Sequence, residues 1–186
     1  MNFSKATRVF TMLAAILLAG ATAASAADSA IKGYEPNRWV VSGSLGLGLA
    51  NTYGTGGTPL FAATAEYGVT PKISVGGSAG FASSKYDYFG YSAKYSYSVV
   101  AARGSYHFIT VATDKPLDLY AGVSLGYNHV GVKETGTTAF GYDIGASYVL
   151  YGLYGGARWY FNPKAAVFAE AGYGLGELAL GASIRL

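Results

Sequence analysis

From Trp39 to the end of the chain one local pattern recurs: bulky apolar residues take every second position, and Gly, Ser, Ala or a single charge fills the positions between. Period two is the signature of an extended strand with two unlike faces. In the first such run Trp39, Val41, Gly43, Leu45, Leu47 and Leu49 share one face, while Val40, Ser42, Ser44, Gly46, Gly48 and Ala50 share the other. The pattern predicts eight strands, at about 39–50, 59–68, 72–84, 95–108, 117–130, 147–161, 165–174 and 177–186. Sixteen of the 27 glycines lie inside these runs, where they would weaken helices.

The links between strands alternate in length. Those at 68–71 and 162–164 are tight turns of Gly, Asn and Pro, and 109–116 is slightly longer; those at 51–58, 85–94 and 131–146 are long and polar or aromatic, with 174–176 short. Short turns on one rim and long loops on the other are the layout of a membrane-spanning barrel, and an even strand number closes the sheet without leaving an edge in lipid. Strands of 10–15 residues suffice, because a tilted strand crosses the apolar layer in about 9–11.

A soluble calyx alternates as well, so the second face must decide. Facing water it would carry many Lys and Glu, but charged residues make up only 12% of the chain, and the second face is mostly Gly, Ser, Ala and Tyr. Small residues suit the cramped interior of eight strands. Six ionised residues are expected inside: Glu66, Arg103, Asp118, Arg158, Glu170 and Arg185, three acids and three bases on the parity opposite the bulky residues. Most fall near the short-turn rim, where a matched network would hold and plug the barrel. Tyr67, Phe108, Trp159 and Phe161 near that rim, and Phe81, Tyr127 and Tyr173 toward the loops, supply two aromatic girdles.

Ahead of the strands, Lys5 and Arg8, an apolar run at 9–19 and Ala24-Ser25-Ala26 read as a signal peptide, 1–26, followed by a barrel domain, 27–186. The apolar run is too short for a spanning helix. Cleavage would leave 11 Lys and Arg against 10 Asp and Glu, no footprint for nucleic acid. Cysteine is absent, so disulfides contribute nothing to stability.

Four stretches carry a family likeness: Glu66-Tyr67-Gly68-Val69-Thr70-Pro71-Lys72-Ile73-Ser74-Val75-Gly76, Ala102-Arg103-Gly104-Ser105-Tyr106-His107-Phe108, Leu119-Tyr120-Ala121-Gly122-Val123-Ser124-Leu125-Gly126-Tyr127, and Gly156-Ala157-Arg158-Trp159-Tyr160-Phe161-Asn162-Pro163-Lys164. The chain resembles the small outer-membrane β-barrels that include OmpX, the OmpA transmembrane domain and Opa-like surface proteins. The resemblance implies an all-β, eight-stranded antiparallel up-and-down transmembrane barrel in a bacterial outer membrane, a monomer surrounded by outer-membrane lipid and lipopolysaccharide. It also implies insertion by the barrel-assembly machinery, reading a last strand that here ends in Leu186 where the usual form ends in Phe or Trp. The family shares a scaffold and diverges in its loops, so it specifies architecture more than activity.

No catalytic pattern is legible. Outer-membrane lipid A deacylases place Ser two residues after a His; here Ile109 follows His107 and Gly131 follows His129 at that spacing. Two separated histidines without cysteine form no metal set, and Gly-Thr-Gly-Gly at 54–57 lacks the following helix of a phosphate loop. No cofactor is expected. The candidate contact surface for a host or other ligand is an aromatic loop with Tyr86, Tyr88, Phe89 and Tyr91; its tyrosines alternatively extend the outer girdle. The sequence is read as a non-enzymatic, plugged envelope barrel with surface loops for adhesion or host contact. The alternatives are a narrow channel for small or apolar molecules and a lipid-modifying enzyme.

Overall fold

A computed structural model describes residues 31–47, 56–88, 91–108, 116–136, 144–173 and 176–186. The signal-peptide reading lies outside them. Eight strands follow one another as β1 (Trp39–Leu47), β2 (Gly56–Gly68), β3 (Ile73–Tyr88), β4 (Tyr91–His107), β5 (Leu117–Gly136), β6 (Ile144–Tyr160), β7 (Ala165–Tyr173) and β8 (Leu178–Arg185). Each pairs antiparallel with the next, and β1 pairs with β8, from Val40↔Arg185 to Leu47↔Leu178, to close an up-and-down barrel. Closure satisfies every strand edge within the sheet, as hydrocarbon requires.

Side-chain chemistry sets the short-turn rim. Thr70 Oγ1 accepts from the backbone N–H of Lys72 and Ile73 (3.2 and 2.9 Å), and Asn162 Oδ1 accepts from those of Lys164 and Ala165 (2.8 and 2.7 Å). Such local bonds let the backbone reverse within four residues. Asn37 takes a left-handed conformation (φ 60°), which Asn tolerates; its N–H donates to Gly68 O at 2.8 Å and ties the approach to β1 onto the end of β2. The one register shift in the β2–β3 pairing falls between Thr58 and Phe61, around Pro59, which has no N–H for the ladder.

Strand ends depart from the sequence reading at the loop rim. Within the expected link at 85–94, Lys85↔Lys94, Tyr86↔Ala93, Asp87↔Ser92 and Tyr88↔Tyr91 continue the β3–β4 ladder. Likewise β5 runs to Gly136 and β6 begins at Ile144, inside the expected loop at 131–146. The expectation placed links where polar and aromatic residues gather, but a strand need not stop at the edge of the hydrocarbon. Among the described residues the barrel is therefore lopsided. β3 to β6 are 16, 17, 20 and 17 residues long, against 9, 9 and 8 for β1, β7 and β8, so four strands stand up as a wall.

The outward parity carries the bulky apolar set. Val41, Val100, Val123, Leu125, Val149, Leu153 and Leu180 are all exposed, Leu125 and Leu153 at 62% and 63%. A continuous apolar band of this kind is far larger than water tolerates and matches a lipid-facing surface. Aromatic rings border it on both sides: Trp39 on Tyr67 (centroids 5.3 Å apart) and Tyr106 on Phe108 (5.2 Å) toward the short turns, Tyr151 near Tyr173 (6.3 Å) toward the loops.

Candidate functional site

The inward parity builds the candidate site, a packed lumen in three layers. Nearest the short turns, residues 32–36 fold back under the barrel. Tyr34 stacks on His107 with centroids 3.7 Å apart, and its hydroxyl donates to the carbonyls of Thr70 and Ile73, both at 2.9 Å. Burial, with help from Asp118 and Glu66, pushes the Tyr34 phenol up to about 12. The Arg185 guanidinium holds the same segment by donating to Gly33 O (2.6 Å) and Lys32 O (3.0 Å), pairs with Glu35 (3.4 Å), and lies 3.9 Å from the Tyr160 ring centroid.

The middle layer is ionic. Arg103 grips Glu170 through two bonds (2.7 and 3.3 Å), reaches Glu66 at 3.7 Å and lies 4.0 Å above the Tyr154 ring. Arg158 bridges Glu66 and Asp118, each at 3.4 Å. Hydroxyls fill the remaining acceptor positions: Ser105 donates to Glu66 (2.6 Å), and Tyr120 donates to Glu170 (2.8 Å). Buried charges endure when paired and hydrogen-bonded in this way. Five of the six expected residues thus meet. Arg185 stands apart, paired instead with Glu35 and the carbonyls of the segment ahead of β1.

Above the ions sits an apolar layer of Leu60, Ala82 and Val99, with Ala62, Tyr97 and Leu150 against it. The void left between the two layers is about 50 Å³, room for a water or two. Higher still, the fully buried Asn128 donates to Tyr148 OH at 2.8 Å.

One run of hydrogen-bonded side chains in the lowest layer leaves no mark in the sequence pattern. Ser74 Oγ lies 3.0 Å from His107 Nε2, and His107 Nδ1 lies 2.7 Å from Asp118 Oδ1, an order of groups that elsewhere activates a serine nucleophile. Here all three are at most 2% exposed, and Tyr34 covers the imidazole. With no access for a reacting carbonyl, the chain is a structural hydrogen-bond relay that joins β3, β4 and β5. Among the described residues no group of three or more His, Cys, Asp or Glu could hold a metal ion.

The aromatic contact candidates are only partly placed. Tyr88 and Tyr91 are register partners in the β3–β4 ladder, Phe89 lies outside the described residues, and Tyr86 is 46% exposed on the inward parity of β3. The longer strands also carry charges that sequence reasoning had left in loops. Lys85, Lys94 and Lys133 lie on the outward parity, so ionised residues on strands are not all in the lumen.

No family model matches the chain, and no curated protein sequence matches it. Solved structures do. The N-terminal β-barrel domain of Pseudomonas aeruginosa OprF is similar at a TM-score of 0.55 and 14% identity, over 81% of this chain and 98% of that one. A de novo designed transmembrane β-barrel is similar at 0.54 and 16%, over 83% and 99%. Ail, the attachment invasion locus protein of Yersinia pestis, solved with the heparin analogue sucrose octasulfate, is similar at 0.50 and 15%, over 80% and 94%. At such identities the shared property is the fold, that of the small eight-stranded outer-membrane β-barrels.

Proposed function

We propose that the chain is a non-enzymatic integral protein of a bacterial outer membrane, a closed barrel that contributes to envelope structure and turns its β3–β6 wall outward for adhesion or host contact. The observation that carries this reading is the pairing of an apolar outer belt with a lumen that the described side chains pack in successive layers. Tyr34, the ion network and the Leu60–Val99 layer lie in series, and the void between the last two is about 50 Å³. The reading includes removal of residues 1–26 as a signal peptide, insertion by the barrel-assembly machinery, a monomeric state in lipid and lipopolysaccharide, and surface contact through Tyr86, Tyr88, Phe89 and Tyr91. Ail, an attachment invasion locus protein, supports the contact role by analogy of fold alone.

A filled lumen predicts no ion current. The refolded protein is to be inserted into planar bilayers; silence is expected, and stable single-channel steps would favour the narrow-channel reading instead. Lipid A from cells with and without the protein should give identical mass spectra, and a protein-dependent product would restore an enzymatic reading.

A further inference from the structure

The outward face of the wall carries three lysines in one cross-strand row: Lys85 of β3 is directly opposite Lys94 of β4, which is directly opposite Lys133 of β5. Adjacent strands are about 4.8 Å apart, so three ammonium groups are anchored within a span of about 10 Å. Like charges directly opposite each other destabilise a sheet. Asp87 bridges Lys85 at 3.0 Å, but both side chains are more than half exposed, and a surface pair of that kind gives way readily to a stronger anion.

We infer that this row binds the phosphorylated sugar headgroup of an outer-leaflet glycolipid. Height and orientation select that occupant. The row lies four residues beyond Phe81 on β3 and six beyond Tyr127 on β5, which for strands tilted by about 40° is roughly 10–15 Å past the aromatic girdle. A phospholipid headgroup layer is only about 5–7 Å deep, so a taller headgroup is needed to reach it. The lysines share the outward parity of the lipid-facing belt, pointing sideways into the leaflet rather than up from the barrel mouth.

The same strands offer a place for the lipid's tail. Ala63 and Ala65 of β2, Gly77 and Ala79 of β3, and Val100 and Ala102 of β4 line a shallow outward groove of about 710 Å³, flanked by Val41 on one side and Leu125 and Tyr127 on the other. Small side chains there leave a trough that runs across β2, β3 and β4 in an otherwise bulky belt, six residues below the lysines on β3 and β4. An acyl chain in the trough and phosphates on the row are one molecule's two ends.

The inference rests on the outer-membrane reading, and the experiment separates the two. Folded protein, identified by gel mobility that shifts on boiling, is titrated in detergent with hexa-acylated bisphosphoryl lipid A and followed by native mass spectrometry. Wild type is expected to retain one lipid A. The triple variant Lys85→Gln/Lys94→Gln/Lys133→Gln should bind about 100-fold more weakly, roughly fivefold for each charge; Lys94→Gln alone should give about fivefold, and the corresponding triple Lys→Arg variant should bind as wild type does. Dephosphorylated lipid A should bind wild type as weakly as the triple variant binds the intact lipid. Lys72→Gln/Lys164→Gln at the opposite rim should change nothing. Equal binding by wild type and the lysine variants overturns the site while leaving the barrel intact, as does equal binding with and without phosphates. Binding of dextran sulfate to the row without any lipid A binding would make it a site for soluble glycans and overturn the lipid assignment. A wild-type chain that never shows the heat-dependent mobility overturns the membrane reading, and the site with it.

Discussion

Removing Arg103 should destabilise the barrel far more than removing Arg103 and the charge of Glu170 together. In Arg103→Met, Glu170 loses bonds of 2.7 and 3.3 Å and keeps only the Tyr120 hydroxyl, Glu66 loses its 3.7 Å contact, and the layer over Tyr154 is vacated. Breaking a buried pair from one side costs about 3–5 kcal/mol, chiefly because a charge is left without compensation. In Arg103→Met/Glu170→Gln that charge is gone, and Gln still accepts from Tyr120, so the loss should fall to about 1–2 kcal/mol, close to the worth of ordinary hydrogen bonds. Urea unfolding in lipid vesicles, followed by fluorescence, measures the difference, since Trp39 and Trp159 are both half-exposed in the belt and report insertion. With a slope of about 2 kcal/mol/M, the single variant should shift the midpoint by about 2 M and the double by less than about 1 M. A double variant as unstable as the sum of the two single variants would refute the pairing.

The lipid-facing assignment predicts that Leu153→Arg, at a position 63% exposed, costs about 2–4 kcal/mol in vesicles, whereas a water-facing position would tolerate it; unchanged unfolding would count against the belt. A methyl group on Gly122 would run into the Tyr154 ring and Gly104 O, while one on Gly104 meets nothing within 4 Å. Gly122→Ala should therefore lose about 1–3 kcal/mol through displacement of Tyr154, and Gly104→Ala almost nothing, in the same assay; equal effects would argue against the interior packing. Tyr34→Ala removes a stacked ring and two hydrogen bonds and should cost about 3–5 kcal/mol, with faster hydrogen exchange at residues 32–36; a stable, protected variant would mean that this segment is not what closes the rim.

Parity made much of the molecule legible. In an extended strand it alone decides which side a residue faces, so the opposition of Arg158 to Trp159 and Leu153 could be read directly, and with it the inward charges and the outward belt. Two things escaped. The expected links begin at Lys85 and Gly131, where polar and aromatic residues gather, yet alternation continues beyond them as Lys85, Tyr86, Asp87. The partners of Arg185 also escaped, because Gly33 and Glu35 precede the first strand and have no alternation to read. The clustering of Gly33, Tyr34, Glu35 and Pro36 just ahead of the strands was the available signal, an aromatic and an acid where a bare leader needs neither.

Register is a separate quantity from parity, and the chemistry of this barrel depends on it. Parity says that Lys85, Lys94 and Lys133 face outward once the strands are known to reach them, but only the pairing register decides whether they stand side by side. β3 and β4 are joined by residues 89 and 90, which sets Tyr88 against Tyr91 and hence Lys85 against Lys94. The relay from Ser74 through His107 to Asp118 arises in the same way: Ile73↔Tyr106 and His107↔Tyr120 bring together groups 33 and 11 residues apart. A slip of one residue would turn every side chain of a strand to the opposite face and place the Leu–Val set in the lumen. The hydrophobic pattern therefore forbids odd slips, and a slip of two would part Lys85 from Lys94 while leaving the belt intact. The same slip would also part Ser74 from His107 and carry Arg103 away from Glu66, so the lumen contacts hold the register that the belt alone would leave free.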